Sequence, residues 1–142
     1  KAIEENGNLK KQLEETIREK ANIVKEEIIE EAQLVNGVTV YRRKLPMMPP
    51  EFVKDMAFQL RNLESDTLVV LGSFYDGKPM LTVAASDNMV KEHGMNVGKL
   101  IREAAKLIQG GGGGQPHFAT AGGKNTDGLD AAIDKFIELA EL

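Results

Sequence analysis

The sequence lacks cysteine altogether and contains only two histidines. Disulfides and thiolate metal sites are therefore excluded, and two histidines alone cannot build a zinc site. The sequence also lacks a Gly-x-Ser-x-Gly motif and any recognisable set of nucleophile, base and orienting group. We expect a chain that has no catalytic residues of its own and holds no metal or cofactor.

Aromatic residues are scarce, with five phenylalanines, two tyrosines and no tryptophan. So few aromatic rings argue against extended stacking on unpaired bases and favour recognition by shape and phosphate contacts if nucleic acid is bound. The sequence also lacks a signal peptide and an apolar run of the ~18 residues that a membrane-spanning helix needs. We expect a soluble, cytoplasmic chain that makes no membrane contact.

The charge is weakly acidic overall, at −4, but it is unevenly distributed. Residues 1–35 carry 6 basic and 9 acidic side chains, residues 36–126 carry 11 and 8, and residues 127–142 carry 1 and 5. A net negative charge argues against a strong non-specific binder of nucleic acid. Residues 36–126 nevertheless carry more basic than acidic side chains, which allows a local nucleic-acid-binding site.

The first 35 residues have the pattern of one long helix. Their apolar residues recur at intervals of 4 and 3 and fall within roughly 140° of arc, which predicts a stripe that packs on this chain or on a second helix. Asn36-Gly37 supplies a stop signal. We predict a helical arm over residues 1–35 and a globular domain over residues 36–142, and Lys1 opening mid-helix without Met indicates a piece of a longer protein. The stripe consists of Leu9, Leu13, Ile17, Ala21, Val24, Ile28, Ala32 and Val35.

The remaining residues alternate strand and helix patterns. A β-branched run precedes the basic triplet Arg42, Arg43 and Lys44, which we interpret either as a solvated strand end or as a phosphate contact. Asp76-Gly77 lies between two apolar runs and predicts a hairpin. The order of elements predicts an α+β fold, in which helices pack on a small mixed sheet of three or four strands behind a long N-terminal helix.

Half of the residues from Gly110 to Gly123 are glycine, and five of them are consecutive. Such a run is either a flexible linker or a segment whose backbone N–H groups reach a ligand through positive φ angles, as in phosphate sites. The lysine, serine or spaced acid of the P-loop and dinucleotide motifs is absent. A helix pattern before the run and an apolar run after it favour a ligand-binding segment.

Three basic residues precede the glycines on the predicted helix Val97–Ile108. Lys99, Arg102 and Lys106 lie within about 60° of arc, opposite the apolar face, and we call them the basic ridge. The ridge is either a solvated helix face or a phosphate-binding surface, and its position beside the glycines favours the second. His117 either contacts a base or phosphate, or satisfies a loop carbonyl.

The sequence from Leu100 to Ala132 resembles the C-terminal domain of bacterial alanyl-tRNA synthetase. The resemblance is carried by Leu100–Lys106, the glycine run, Gln115–Lys124 and a helix beginning near Thr126. That domain belongs to the DHH-associated class, which also occurs in single-strand exonucleases and nanoRNases. Gln115 stands where the pattern often has Arg, and His117 where it often has Asp.

The resemblance implies a non-catalytic domain that binds tRNA(Ala), links catalytic and editing domains upstream, and dimerises through its helical arm. ATP and zinc sites would belong to those upstream domains. The resemblance places the glycines Gly110–Gly114, Gly122 and Gly123, with Ala119 and Ala121, in the family motif. With the basic ridge, His117 and Lys124 added from the residues themselves, the candidate nucleic-acid-binding residues are Lys99, Arg102, Lys106, Gly110, Gly111, Gly112, Gly113, Gly114, His117, Gly122, Gly123 and Lys124.

Two alternatives remain open. The chain is a substrate-binding domain of a DHH-family nuclease, or it is a purely structural oligomerisation module. In the nucleases the glycines run directly into a histidine, whereas Gln115-Pro116 intervene here. An oligomerisation module predicts no affinity for RNA.

Overall fold

A computed structural model describes the backbone of residues 2–140, together with the side chains of residue 9 and residues 11–140. Within that range, helices alternate with the strands of one six-stranded sheet. The elements are α1 (Ala2–Glu30), β1 (Gln33–Val35), β2 (Val38–Lys44), α2 (Pro50–Arg61), β3 (Thr67–Tyr75), β4 (Lys78–Ala85), α3 (Asp87–His93), α4 (Val97–Ala104), β5 (Gly111–Gln115), β6 (Phe118–Gly122) and α5 (Leu129–Ala140), with 3-10 turns at Ala105–Ile108 and Thr126–Gly128.

The strands lie in the order β1-β2-β3-β4-β6-β5. β2 and β3 are parallel, as expected for strands joined by the crossover helix α2, and the other pairs are antiparallel. The predicted α+β fold with a mixed sheet and a long N-terminal helix is confirmed. The predicted number of strands was wrong, because β1 and β5 were not recognised.

β1 was missed because its residues continue the apolar spacing of the preceding helix. The helix ends at Glu30, and Asn36 and Gly37 have φ angles of 50° and 85°. Two consecutive positive φ angles belong to a tight hairpin turn, which here joins β1 to β2 instead of ending a helix. The division into an arm (residues 1–35) and a globular domain (residues 36–142) stays a prediction.

Helices cover both faces of the sheet. The helices α4 and α5 bury Ile101 and Phe136 against one face, and α1 and α2 bury Ile28 and Leu60 against the other. The alternating side chains of β3 divide between the two cores, with Val70 on one side and Val69 on the other.

Only part of the predicted apolar stripe on α1 is buried in the core between this helix, α2 and the sheet. Ala21, Val24 and Ile28 are buried, whereas Leu9 is 63% exposed and Leu13 is 60% exposed. The N-terminal part of the stripe is therefore uncovered in this chain. Among the helices that the structure describes, none is both long enough and apolar enough to cross a bilayer.

Candidate nucleic-acid interface

The glycine run is a strand at the edge of the sheet. Gly111–Gln115 form β5, which pairs only with β6 among the described strands, and Pro116 and His117 form the turn between them. We call β5, this turn and β6 the glycine hairpin. The described glycines with positive φ are Gly37, Gly77 and Gly94, so the expected positive φ angles of Gly110–Gly114 are wrong. The run was not recognised as a strand because glycine has a low strand propensity.

Glycine is required in β5 by close packing within the chain. A Cβ on Gly114 would lie 2.6 Å from the Phe118 carbonyl oxygen, and one on Gly112 would lie 2.5 Å from the Cα of Ala121. On the neighbouring helix, a Cβ on Gly98 would lie 2.7 Å from the Gly114 carbonyl oxygen. The missing side chains therefore let β5 approach its partner strand and α4 closely.

The helix α4 runs beside β5 and is held at both ends of the strand. Near the hairpin turn, the Val97 N–H donates to the Pro116 carbonyl at 3.1 Å. At the other end, the Gly110 N–H donates to the Ala105 carbonyl at 3.0 Å. The helix tightens into a 3-10 turn at Ala105, so the predicted helix Val97–Ile108 is α-helical only as far as Ala104.

This packing brings the basic ridge next to the glycine hairpin. Lys99, Arg102 and Lys106 are all exposed. A Cβ on Gly113 would lie 3.5 Å from Arg102 Nε, so the guanidinium group lies beside the strand. Lys106 Nζ is 3.1 Å from Glu103 in an exposed pair, which contributes little to stability.

The other candidate residues lie at opposite ends of the hairpin. Gly122 pairs with Gly111, and the backbone of Gly123 and Lys124 is held by hydrogen bonds of 3.1 Å to the Pro79 carbonyl and 2.8 Å to the Ile108 carbonyl. His117 is in the turn, ~14 Å away along β5. The structure therefore brings Gly110, Gly122, Gly123 and Lys124 together and separates them from His117.

The turn is anchored through its backbone. The His117 carbonyl accepts a hydrogen bond of 2.9 Å from the Ala85 N–H, while its side chain is half-buried. The neighbouring Phe118 stacks on Phe58 of α2, with ring centroids 4.4 Å apart and planes at 4°. Sequence reasoning missed Phe58, which is 41% exposed, because no local pattern links residues 60 positions apart.

The basic triplet is not equivalent to the ridge. Arg42 pairs with Asp134, Arg43 is 2.6 Å from Glu27, and Lys44 is 3.9 Å from Asp130. All three cations therefore face acids of α1 or α5, which supports a structural interpretation of the triplet. Among the described residues, no cluster of three or more His, Asp and Glu side chains has an arrangement that holds a metal ion.

The sequence pattern of the DHHA1 domain matches residues 46–142, which include the basic ridge and the whole glycine hairpin. The chain belongs to the DHHA1 domain family. It is 56% identical over 141 residues to the alanine–tRNA ligase of Bacteroides thetaiotaomicron, covering 99% of this chain and 16% of that protein. The alanine–tRNA ligase of Bacteroides fragilis is 55% identical over the same shares.

A solved structure gives the same result for the fold. The C-Ala domain of alanyl-tRNA synthetase from Aquifex aeolicus has a TM-score of 0.70 and 25% identity, covering 78% of this chain and 98% of that domain. The resemblance found in the sequence is thus confirmed. This DHHA1 chain spans about one sixth of the length of the curated relatives it matches.

Proposed function

We propose that this chain is the tRNA-binding C-terminal domain of an alanine–tRNA ligase. The observation that carries the proposal is the exposed basic ridge alongside the glycine hairpin, in a chain similar over nearly its whole length to alanine–tRNA ligases. The RNA is tRNA(Ala), and the domain works in the cytoplasm beside upstream catalytic and editing domains. It adds binding and positioning to their chemistry, which uses ATP and zinc outside this chain.

The scarcity of acid partners near the ridge cations supports the ridge as the RNA-facing surface. Within the described residues, Lys99 and Arg102 have no acid within 4.0 Å, and the single pair of Lys106 is exposed. Bound phosphate groups displace such a pair at little cost, because exposed ion pairs are weak. Three cations along one side of a helix follow a phosphate backbone and release its counterions.

The glycine strand supplements these cations with backbone donors. β5 is the outer strand of the described sheet, and Gly111, Gly112 and Gly114 are exposed. An outer strand presents N–H groups that have no ladder partner, and phosphate and sugar oxygens accept from such groups. The absence of side chains lets RNA come close enough for that contact. Lys124 lies at the open end of the hairpin and extends the positive surface.

The triple variant Lys99→Gln, Arg102→Gln and Lys106→Gln tests this surface. Each lost phosphate contact reduces the slope of log K against log salt by ~0.9. Three lost contacts shrink the ratio of tRNA affinities at 50 and 200 mM salt by roughly 40-fold. The matched control replaces the exposed Lys11, Lys20 and Lys54 by Gln and leaves the slope nearly unchanged. An intact slope in the folded ridge variant refutes the proposed surface.

The uncovered end of α1 supports a homodimer through the helical arm. Leu9 and Leu13 are exposed, and an apolar stripe of this kind packs on a second helix. The double variant Leu9→Glu and Leu13→Glu is expected to convert a dimer into a monomer in sedimentation experiments. The control Ile23→Glu alters an exposed apolar residue off the stripe and leaves the dimer intact. A monomeric unmodified chain contradicts this part of the proposal.

The two alternatives predict different outcomes in the same titrations. A structural oligomerisation module binds no tRNA at any salt concentration. A nuclease substrate domain binds short single strands as tightly as intact tRNA. Gln115-Pro116 separate His117 from the glycine run, which favours the ligase domain over a nuclease domain, where the glycines run directly into a histidine.

A further inference from the structure

A cavity of about 330 Å³ lies beside the open end of the glycine hairpin, opposite the turn. It is bounded by the start of α2, the β3–β4 hairpin and the last residues of β6. Its volume falls within the range of small-molecule sites, about 300–1,000 Å³. Gly122 belongs both to this cavity and to the hairpin, so the two features are continuous.

The walls are mainly apolar, and the uncharged polar groups on them are hydroxyls. Met48, Pro79 and Met80 form apolar wall, while Ser73 and Thr120 contribute hydroxyls from β3 and β6, the strands on either side of β4. Ser73 is almost completely buried. A hydroxyl donates and accepts, so this arrangement suits a flat ligand that has both donors and acceptors on its edge.

A third hydroxyl lies next to these two and lacks a partner. Thr82 is the register partner of Thr120, and its side chain is fully buried. Among the buried side-chain atoms that the structure describes, Thr82 Oγ1 is the one without a hydrogen bond. A buried hydroxyl without a partner is unfavourable. Packing within the chain therefore leaves Thr82 Oγ1 unsatisfied, although Thr82 is not itself among the residues that line the cavity.

The rim carries groups suited to a sugar and a phosphate. Asp76 and Gly77 have φ angles of 55° and 75°, so the tight turn fixes Asp76 and Lys78 at the cavity edge. Tyr75, 45% exposed, offers a ring beside them. A carboxylate accepts from ribose hydroxyls, an ammonium group pairs with phosphate, and an aromatic ring stacks on a base.

We propose that this cavity binds one nucleotide of the RNA, with its base between the Met48 and Met80 side chains and its edge against the Ser73 and Thr120 hydroxyls. The inference rests on the proposed tRNA-binding function and adds a base-specific contact to a surface otherwise built for phosphate. Gly122 gives the RNA backbone a path from the glycine hairpin to the cavity. An apolar protein side chain fits less well, because it would leave the Ser73 and Thr120 hydroxyls without partners.

Two substitutions separate this contact from the ridge. Thr120→Val removes one hydroxyl and keeps the shape, and its matched control is Thr39→Val, a half-buried strand threonine outside the cavity. Gly122→Leu places an apolar side chain at the cavity, and its Cβ meets no atom within 4 Å. Both are made in the full 142-residue chain, with circular dichroism as the check on folding.

The readouts are tRNA binding over a salt series and NMR of the Met48 and Met80 methyl groups during titration with the four nucleoside 5′-monophosphates. We expect at least one nucleotide to shift both methyl signals in the unmodified chain and none to do so in Gly122→Leu. Thr120→Val should weaken tRNA binding about three- to tenfold, as for one lost hydrogen bond, with the salt slope unchanged. Thr39→Val should match the unmodified chain.

The outcomes distinguish the two proposals. If the unmodified chain binds tRNA and both cavity variants bind it equally well, the cavity inference is wrong and the proposed function stands. If the unmodified chain does not bind tRNA, both are wrong. If the methyl signals shift with protein concentration in the absence of RNA, a second copy of the chain fills the cavity and the inference is overturned.

Discussion

The basic triplet and the basic ridge have the same charge, but all three cations of the triplet have an acid partner and only Lys106 of the ridge does among the described residues. Arg42, Arg43 and Lys44 each face an acid on α1 or α5, whereas Lys99 and Arg102 face none within ion-pair distance among the described residues. Three consecutive cations in the sequence therefore connect structural elements, while three cations spread over eight residues form the exposed surface. The availability of a cation depends on which acids the fold brings to it.

The largest effect is expected where the ridge helix packs on the glycine strand. Gly98→Ala places a Cβ 2.7 Å from the Gly114 carbonyl oxygen, so α4 must move and carry the ridge away from β5. We expect a loss of ~1–3 kcal/mol in the free energy of unfolding, measured by urea titration, and weaker tRNA binding.

The control for this overpacking is Gly111→Ala in the same glycine run. A Cβ at Gly111 meets no atom within 4 Å, so stability should stay within ~0.5 kcal/mol of the unmodified chain. If both alanine variants unfold at the same urea concentration as the unmodified chain, close packing does not hold the ridge in place.

The next largest effect is expected from removing the ion pairs by which the basic triplet connects β2 to α1. Arg43 is partly buried and lies 2.6 Å from Glu27 and 3.7 Å from Glu31, so it ties β2 to α1. Arg43→Gln should lower the free energy of unfolding by ~0.5–1 kcal/mol and leave the salt slope of tRNA binding unchanged. A double-mutant cycle with Glu27→Gln measures the pair itself. If Arg43→Gln reduces the slope of log K against log salt for tRNA binding, the triplet is part of the RNA surface and does not differ from the ridge in function.

The smallest effect is expected from removing an acid that pairs with a lysine of the basic ridge or of the basic triplet. Glu103→Gln removes the partner of Lys106, and we expect a few-fold gain in tRNA affinity and a slope steeper by less than 1. The matched variant Asp130→Asn removes the partner of Lys44 and should not change binding, because Lys44 lies outside the ridge. Equal gains in both variants would mean that net charge, and not position, governs the affinity.

Local patterns were sufficient for much of the fold. The hairpin at Asp76-Gly77 was predicted correctly, because two positive φ angles between apolar runs are a property of adjacent residues. The buried faces of α2 and α5 also follow from the 3.6-residue period of their apolar residues. The helix end at Asn36-Gly37 was wrong for the same local reason, since one dipeptide suits both a helix stop and a hairpin turn.

The candidate site was predicted only as a set of neighbouring segments. The ridge and the glycines are adjacent in sequence and remain adjacent in the fold. His117 and Lys124 belong to one segment of the sequence motif, yet strand β6 places them at opposite ends of the hairpin. The cavity was not foreseen, because its walls come from three segments between residues 48 and 122.

The sequence by itself determined the family, the mixed α+β class and the amphipathic helices, since a motif, a period and a turn are all carried by residues close together in the chain. Only the tertiary structure decided that four of the five consecutive glycines form an edge strand, that Arg42 meets Asp134, and that three hydroxyls lie on one face of the sheet beside a cavity. Strand pairing and ion pairing join residues tens of positions apart, and their partners are selected by packing of the whole chain.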